Sequence, residues 1–464
     1  MYTLEALRTR RTDDRLLVPR QTSTPNFAEP RKMHMTQPVS DNLTADTVPL
    51  TCQESLNDSD IYKILVNDPA SWKAFRTLAA YLEAEGDVEA ARECYLGRLP
   101  EHVQTRFFND NATLLTANDI HCEVFPAHPP TSRKPSSVSI QNTPRLKRYR
   151  ERDLVSNSTS VVTFDNASLW FDGYNTIVSN KQGEIDKATV AGNLAPALHA
   201  ARQVEPVKLN GQVVLMGTKG SNNYYHWMTD ILPKFSVLEK AGIQTSGETR
   251  YVFTNITAKF QKETLKDFGI NDNQLFKTNS QGSHIVADEL VVPQMSNTMG
   301  FTMGDWLPEY MKKRYSLEST TSQFRKILVS RNSEASHGRG IHNLHEFNQY
   351  FLERGYEIIS PENYSVAEQA RLFSEASRVA GPHGAGLTNL LFCQPGTTVY
   401  EFYGEHLAPC YWAISELSGL DYKNMNCSGL KSGTGSDLDL AKTLSSRRSC
   451  SFGIDLSVLD AAYI

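Results

Sequence analysis

The sequence predicts an α/β protein with two Rossmann-like lobes that face one another, preceded by a short α-helical segment and a disordered N-terminus. From about residue 160 onward, short apolar runs typical of buried strands alternate with amphipathic runs typical of helices. The alternation occurs in two blocks, residues 160–322 and residues 323–464. Strand–helix units of this length imply parallel strands joined by right-handed crossovers, so we expect one open sheet in each block.

The composition fits a folded protein and argues against several functional classes. Hydrophobic residues make up 40% of the 464 residues, which fits a protein with a folded core. The formal net charge of −5 argues against a protein that binds nucleic acid through a basic face. The sequence contains no run of eighteen apolar residues, so no transmembrane helix is predicted. The N-terminus lacks the apolar stretch of a secretory signal. The seven cysteines form no CxxC pair, which favours reduced thiols in the cytoplasm.

The first hundred residues divide into a tail and a helical unit. Residues 1–58 are rich in Thr, Ser, Pro and Asn and are predicted to be a disordered tail. Residues 59–100 carry apolar residues at helical spacing around Gly86, which predicts a helical hairpin resembling one tetratricopeptide repeat. Because one repeat cannot bury both of its faces, we favour a hairpin packed on the main body or on a partner over a peptide-binding array.

Residues 101–159 show no clear period and are predicted to be an irregular linker. Their basic cluster, Lys147, Arg148 and Arg150, is interpreted as a solvated surface, with contact to anionic lipid as the alternative. We therefore expect any peripheral membrane or protein contact to be made through residues 59–150.

The predicted elements of the first lobe are a strand, a long helix, a strand, an amphipathic helix and later strands. Pro233 lies within the long helix, residues 224–242, and should kink it or mark its early end. In the second lobe, four strands alternate with helices, and two helix starts fit capping boxes. These starts are Asn343 with Glu346 and Ser365 with Glu368.

Ligands of open α/β sheets lie outside the carboxyl ends of the strands, so the residues just after each strand are the candidates for a site. Arg331 directly follows the strand at 326–330, and Arg339 lies in a glycine-flanked loop. The planar guanidinium suits bidentate contact with phosphate oxygens. We favour anion binding for both arginines; pairing with surface carboxylates is the alternative.

A glycine-rich turn at 381–389 follows a later predicted strand and opens a helix. Glycines let the backbone approach a ligand closely, and the unpaired amides at a helix start suit a diphosphate. The candidate residues are His383, Gly384, Ala385, Gly386 and Asn389. The turn does not follow GxGxxG, so a plain dinucleotide site is weakly supported, and a simple packing turn is the alternative.

Two further candidates carry acid–base groups. His226 and Asp230 stand four residues apart, so on a helix they share one face and form a candidate general-base pair; a capping or salt-bridged pair is equally open. Glu401 lies near the end of the last predicted strand and is a candidate for ribose hydroxyls, with a surface charge as the alternative. His337, His342 and His345 fit no recognised zinc pattern, so we expect no metal site.

Taken together, these residues resemble glycosyltransferase family 61. Four motifs of that family occur in order between about 160 and 425, over half of the chain. They are Asn-Tyr-Tyr-His-Trp-x-x-Asp-x-Leu-Pro at 223–233, Ser-Arg-Asn at 330–332 with Arg-x-Ile-x-Asn-x-x-Glu at 339–346, Gly-x-His-Gly-Ala-Gly-Leu-x-Asn at 381–389, and Pro-Gly-x-x-Val-x-Glu-Phe at 395–402. The first 150 residues lie outside the resemblance, and the serine-rich stretch 428–450 departs from it.

The resemblance implies a GT-B fold and an inverting transfer of a sugar from a nucleotide sugar, with a UDP-sugar as the first choice, to a hydroxyl of a glycan or related acceptor. It implies no essential metal. The first lobe would hold the acceptor and the second the donor. Asp230 would deprotonate the acceptor, with His226 orienting it or sharing its proton. The diphosphate would be met by Arg331, Arg339 and the amides of residues 384–386, while Asn389 fixes the turn or touches phosphate and Glu401 holds the ribose.

Bacterial members of the family are similar to proteins of capsule and polysaccharide assembly. Eukaryotic members modify glycoproteins or xylans in secretory compartments. The lack of a signal or membrane anchor, together with the tetratricopeptide-like unit, favours a bacterial cytoplasmic enzyme at the inner face of the membrane. The alternatives are a non-catalytic nucleotide-sugar or glycan-binding protein of the same fold and, supported by the alternation alone, a dinucleotide-dependent oxidoreductase.

Overall fold

The computed structural model describes residues 56–67, 72–108, 114–115, 121–125, 128–131, 154–156, 158–186, 189–278, 282–295, 303–317, 322–330, 341–404, 408–427 and 452–461. All of these residues belong to one compact unit, residues 42–464. The predicted tail up to residue 55, the basic cluster at 147–150 and the candidates Arg331 and Arg339 lie outside the described residues.

Four helices open the described chain, where the sequence predicted one hairpin followed by a linker. They are α1 Asp58–Asn67, α2 Trp72–Ala84, α3 Val88–Tyr95 and α4 Glu101–Phe107. Gly86 has a φ of +89°, the left-handed conformation that glycine adopts without strain, and it turns the chain between α2 and α3. Buried side chains such as Ile61 and Leu78 belong to one apolar cluster with Trp170 and Ala197 of the first lobe. The helices are therefore packed on the main body.

The first lobe contains a mixed nine-stranded sheet. Its strands are β1 Leu114–Leu115, β2 His121–Phe125, β5 Thr159–Phe171, β6 Thr176–Ser179, β7 Ile185–Asp186, β8 Val207–Leu215, β9 Arg250–Phe253, β10 Leu275–Lys277 and β11 Ser283–Gln294; β3 His128–Thr131 and β4 Leu154–Ser156 form a separate pair. Four strands in the order β10-β9-β8-β11 are parallel, as the sequence predicted for this lobe. Next to β11 the sheet continues with β5, β6 and β7, which pair antiparallel, and the sequence analysis did not predict β5.

The helices of the first lobe show how Pro233 acts. They are α5 Leu194–Ala201, α6 Tyr224–His226, α7 Lys234–Lys240, α8 Lys259–Asp267 and α9 Leu307–Arg314. The single helix predicted for 224–242 is divided, because Pro233 lacks an amide hydrogen and stands directly before α7. Between α6 and Pro233 the chain makes a π-helical turn, Trp227–Ile231. Such turns are rare and are frequent at functional sites.

The second lobe contains a five-stranded sheet in which every pair is parallel. Its elements are β12 Arg325–Val329, α10 Leu344–Leu352, β13 Glu357–Ile359, α11 Val366–Ser374, β14 Ala376–Pro382, a 3₁₀ helix Ala385–Phe392, β15 Thr398–Tyr403, α12 Cys410–Leu417, β16 Asp421–Asn426 and α13 Leu456–Ala461. The strand order is β13-β12-β14-β15-β16. Chain order therefore reverses between β12 and β14, which is where open α/β sheets bind ligands.

The two capping predictions of this lobe have different outcomes. The Ser365–Glu368 box is confirmed: the Ser365 hydroxyl accepts from the Glu368 amide, and the Glu368 carboxylate accepts from the Ser365 amide. The helix begins where the sequence predicted, with Asn343 at the N-cap position, but the capping box is wrong, because the Asn343 side chain forms no cap hydrogen bond. It instead donates to the Ile454 carbonyl at 2.8 Å and accepts from the Ile454 amide at 2.9 Å.

The two lobes share one apolar core. Trp227 and Met216 from the first lobe belong to the same buried cluster as Leu390 and Phe392 from the second. Across the junction the rings of Tyr315 and Phe392 stand edge to face, 5.4 Å apart. The described part of the chain is thus an α/β structure compatible with a Rossmann-like glycosyltransferase fold. No helix within the described ranges is long and apolar enough to cross a membrane.

Candidate active site

A cavity of about 390 Å³ lies where the two lobes meet. Its walls come from the start of α6 and from α8 in the first lobe, and from the loops after β12, β13 and β14 in the second. The lining residues are Tyr224, Lys259, Phe260, Glu263, Val329, Ser330, Pro361, Glu362, Tyr364, Gln369, Pro382, Gly384, Ala385 and Gly386. The cavity thus opens at the carboxyl ends of β12 and β14, at the reversal of strand order.

The glycine-rich turn reaches this cavity because two glycines allow close packing behind it. A Cβ atom on Gly386 would lie 2.9 Å from Cγ1 of Val329, and one on Gly381 would lie 2.9 Å from Cβ of the same valine. Real Cβ atoms do not approach so closely, so a side chain at either position would push the turn away from β12. Three consecutive turn residues, 384–386, therefore line the cavity at the start of the 3₁₀ helix.

Asn389 fixes this turn from behind. Its side chain is fully buried. Its Nδ2 donates to Oε1 of Gln369 at 2.8 Å and to the Gly386 carbonyl at 3.1 Å, while its Oδ1 accepts from the Tyr224 hydroxyl at 2.8 Å. Of the two roles that the resemblance implied for Asn389, this geometry supports fixing the turn.

His383 belongs to a buried group of three polar side chains. Its Nδ1 contacts Oε1 of Glu401, and the Tyr422 hydroxyl donates to the other carboxylate oxygen. Glu401 is fully buried and both of its oxygens are engaged. This burial does not fit the predicted role of Glu401 as an acceptor for ribose hydroxyls, because a ribose has no access to either oxygen in this arrangement.

Tyr422 was missed in the sequence analysis. Burial raises its pKa well above the usual value for tyrosine, and the nearby Glu401 carboxylate adds to the rise, so the phenol stays protonated and acts as a donor. Tyr422 lies on β16 and Glu401 on the neighbouring β15. The contact between Tyr422 and Glu401 exists because β15 and β16 are neighbours in the sheet. The local sequence around either residue does not indicate which strands are neighbours.

His226 and Asp230 meet, as their spacing predicted. Nδ1 of His226 lies 2.7 Å from Oδ2 of Asp230, and the Thr229 hydroxyl lies 2.7 Å from Oδ1. The His226 side chain is 33% exposed and that of Asp230 is 12% exposed. The imidazole therefore faces the solvent and the carboxylate lies behind it. The ring packs on Gly220, where a Cβ atom would come within 2.6 Å of the ring.

Lys234 is a second residue that the sequence analysis missed. It is buried, and its ammonium donates to the carbonyls of Leu215 and Gly217, at 3.3 and 3.5 Å, at the end of β8. Burial lowers the pKa of Lys234 to about 8, and the negative charge of Asp230 partly offsets this effect. Lys234 follows Pro233 in the first motif, but a lysine at a helix start is more often exposed, so no local signal distinguishes it.

Aromatic rings connect the two motifs through the interior. The His383 ring lies 5.1 Å from that of Tyr411, Tyr411 lies 5.9 Å from Tyr225, and Tyr225 lies 5.2 Å from His226. The structure thus brings together the pair His226–Asp230, the turn at 381–389 and Glu401. Ser330, the residue before Arg331, lines the cavity.

Among the described residues, no three His, Cys, Asp or Glu side chains are grouped so as to hold a metal ion.

Comparison with known proteins points to one family. Residues 224–400, which include most of the motif positions but not Glu401, match the family model Glycosyltransferase 61. The chain is 26% identical over 238 residues to an alpha-1,3-arabinosyltransferase XAT2 of Oryza sativa subsp. japonica, covering 46% of this chain and 38% of the relative. It is 36% identical over 63 residues to a beta-1,2-xylosyltransferase of Arabidopsis thaliana, covering 13% and 12% of the two chains. The matches thus span well under half of either relative, and the family model covers residues 224–400 of this chain.

Proposed function

We propose that this protein transfers a sugar from a nucleotide sugar to a hydroxyl group of a glycan, in a GT-B arrangement with the donor in the cavity between the lobes. The observation that carries the proposal is that residues of three family motifs, which are distant in sequence, line this cavity: Tyr224, Ser330 and the turn at 384–386. Its volume of about 390 Å³ is within the usual range for small-molecule sites, roughly 300–1,000 Å³. Both relatives are plant enzymes, so the expected bacterial origin, capsule role and cytoplasmic location stay predictions.

The second lobe would hold the donor. The turn at 384–386 offers backbone amides to the diphosphate at the reversal of strand order. Arg331 follows Ser330, which lines the cavity, and we propose that Arg331 and Arg339 meet the charge that develops on the leaving diphosphate. With those guanidinium groups in place the transfer would require no metal.

We assign the base to His226 and place Asp230 behind it, which modifies the sequence-based expectation that Asp230 is the base. Both oxygens of Asp230 have close neighbours, whereas the imidazole has the larger exposed surface. Asp230 would accept from Nδ1–H and so leave the Nε2 lone pair for the acceptor proton. In one displacement the acceptor oxygen forms a bond to the anomeric carbon, the bond from that carbon to the diphosphate breaks with the electron pair leaving on phosphate, and His226 takes the proton.

A panel of UDP-, GDP- and CMP-sugars tests the proposal, with hydrolysis and transfer measured for the wild type, His226→Gln and Asp230→Asn. We expect turnover with at least one donor and a loss of about 10²–10⁴-fold in kcat for each variant. The affinity for the matching nucleoside diphosphate should change by less than about threefold, since neither group contacts the diphosphate in this proposal.

Other outcomes separate the alternatives. Turnover retained in both variants would remove the pair from catalysis. Nucleotide binding without turnover by the wild type would favour a non-catalytic binding protein of this fold. Binding of NAD in place of the nucleoside diphosphates would favour an oxidoreductase. Quenching of tryptophan fluorescence measures this binding.

A further inference from the structure

Three charged residues of the described ranges line the cavity, and two of them pair with each other. Nζ of Lys259 lies 3.6 Å from Oε1 of Glu263, whose Oε2 also accepts from the Val366 amide at 3.4 Å. The third is Glu362, which is exposed. Its carboxylate contacts no hydrogen-bond donor and no cation among the residues that the structure describes, so it can accept hydrogen bonds from a ligand.

The charge of Glu362 determines which part of a nucleotide sugar it suits. A carboxylate accepts hydrogen bonds and repels phosphate, so it pairs well with hydroxyl groups and poorly with the diphosphate. A ribose carries two neighbouring hydroxyls, which can donate to the two oxygens of one carboxylate in charge-assisted hydrogen bonds. Glu401, to which the resemblance assigned this role, is fully buried and has both oxygens engaged. Glu263 is already paired, so within the described ranges Glu362 is the carboxylate that the cavity offers to a ribose.

Glu362 also lies at a suitable distance from the turn that would hold the diphosphate. It belongs to a 3₁₀ turn, Pro361–Asn363, that follows β13, and the glycine-rich turn follows β14. The strand β12 lies between these two strands, and neighbouring strands are about 4.8 Å apart, so the two loops begin about 10 Å apart. The loops approach each other above β12, where a Cβ atom on Gly386 would lie 3.3 Å from Cγ of Pro361. A nucleotide with its phosphates at residues 384–386 would thus bring its ribose toward Glu362.

The side chain of Gln369 holds both loops in one arrangement. It is buried, its Nε2 donates to the Tyr364 carbonyl at 3.1 Å, and its Oε1 accepts from Nδ2 of Asn389 at 2.8 Å. Tyr364 ends the 3₁₀ turn that carries Glu362, and Asn389 holds the turn at Gly386. Because these contacts exist before any ligand binds, less conformational freedom is lost on binding. The separation of the two subsites is therefore set by the fold.

We propose that Glu362 binds the ribose hydroxyls of the donor, so that the enzyme selects ribonucleotide sugars over deoxyribonucleotide sugars. This inference rests on the proposed function and narrows its substrate class. It moves the ribose contact from β15, where the resemblance placed it, to the loop after β13. The diphosphate stays at residues 384–386, and the ribose lies on the far side of β12 from it.

Calorimetric titration with UDP, GDP and CDP and with their 2′,3′-dideoxy counterparts tests this selection. The wild type should bind the best of the three ribonucleotides about 10- to 100-fold more tightly than its dideoxy counterpart, because the dideoxy form lacks the charge-assisted hydrogen bonds. In Glu362→Ala this ratio should fall below about threefold. The ribonucleotide should bind more weakly, whereas the dideoxy form should bind equally well or better, since a negative charge near its phosphates is removed.

Glu309→Ala is the matched control, because it removes the same charge at an exposed position of α9 that does not line the cavity. It should leave the affinities for both forms unchanged. Equal affinity of the wild type for the two forms would overturn this inference alone, and so would an unchanged ratio in Glu362→Ala. If the wild type binds none of the ribonucleotides, the proposed function is contradicted and this inference falls with it.

Discussion

Tyr224 in the first lobe donates its hydroxyl hydrogen to Oδ1 of Asn389 in the second lobe, across 2.8 Å. Burial raises the pKa of Tyr224 well above the usual value, so the phenol remains a donor over the whole neutral range. Tyr224 lies two residues before His226, and Asn389 holds the turn at Gly386. This hydrogen bond therefore joins the segment that carries the proposed base to the turn that would hold the diphosphate.

Removal of the Tyr224 hydroxyl should destabilise the protein. In Tyr224→Phe the Oδ1 atom of Asn389 loses its donor within a buried environment, and a buried polar atom left without a partner costs about 1–3 kcal/mol. We expect a loss of about 1–2 kcal/mol in the free energy of unfolding, measured by urea denaturation. Tyr364→Phe, a change of the same atoms at another wall of the cavity, should cost less than about 0.5 kcal/mol. Equal losses in the two variants would contradict a special role for the Tyr224–Asn389 bond.

A methyl group at Gly386 should displace the turn from β12. The new Cβ would lie 2.9 Å from Cγ1 of Val329 and 3.3 Å from Cγ of Pro361, and overpacking of this kind costs about 1–3 kcal/mol. We expect Gly386→Ala to lose that stability and to bind the nucleoside diphosphate at least tenfold more weakly. Thermal unfolding and calorimetric titration measure the two effects.

Two companion variants show whether the contact with Val329 is the cause. Gly247→Ala adds a methyl where no atom lies within 4 Å, so it should be nearly neutral. The double variant Gly386→Ala with Val329→Ala lacks the methyl that the new Cβ would meet. The double variant should therefore lose less unfolding free energy than the two single variants lose together, by more than about 0.5 kcal/mol. Strict additivity would indicate that another contact excludes the methyl group.

Those parts of the fold that depend on local pattern could be predicted from the sequence. The apolar run at 326–330 and the serine at 365 correspond to β12 and to the cap of α11, because burial and capping act within a few residues. The 13-residue strand β5 was not predicted, since its place in the sheet depends on eleven pairs with β11, over a hundred residues away. Asn343 failed as a cap for the same reason: the backbone of Ile454, 111 residues further on, takes both of its hydrogen-bonding groups.

The candidate site shows the same division. The contact between His226 and Asp230 could be predicted from their spacing of four residues. The turn at 381–389 could be predicted from its glycines. The role expected for Glu401 followed from its position near a strand end. Its burial and its contacts with His383 and Tyr422 depend on how β14, β15 and β16 lie side by side, which no local pattern reveals.

The pH dependence of stability should reveal the buried charge of Lys234. Its pKa is lowered from 10.5 to about 8 by burial, so between these values the unfolded chain binds more protons than the folded one. The contribution of Lys234 to the stability of the fold is therefore unfavourable below pH 8. As the pH rises from 8 toward 10.5, this unfavourable contribution disappears and the free energy of unfolding increases. Since one pKa unit corresponds to about 1.4 kcal/mol, the whole effect is about 3 kcal/mol.

Lys234→Met removes this titration, so the difference in unfolding free energy, variant minus wild type, should fall by up to about 3 kcal/mol between pH 8 and 10.5. Urea denaturation at several pH values measures it, and taking the difference cancels the tyrosines and cysteines that titrate in the same range. Lys240→Met, at an exposed position of the same helix, is the control for the loss of a lysine from this helix. A constant difference for Lys234→Met would mean that the ammonium is solvated in the folded protein and that burial does not lower its pKa.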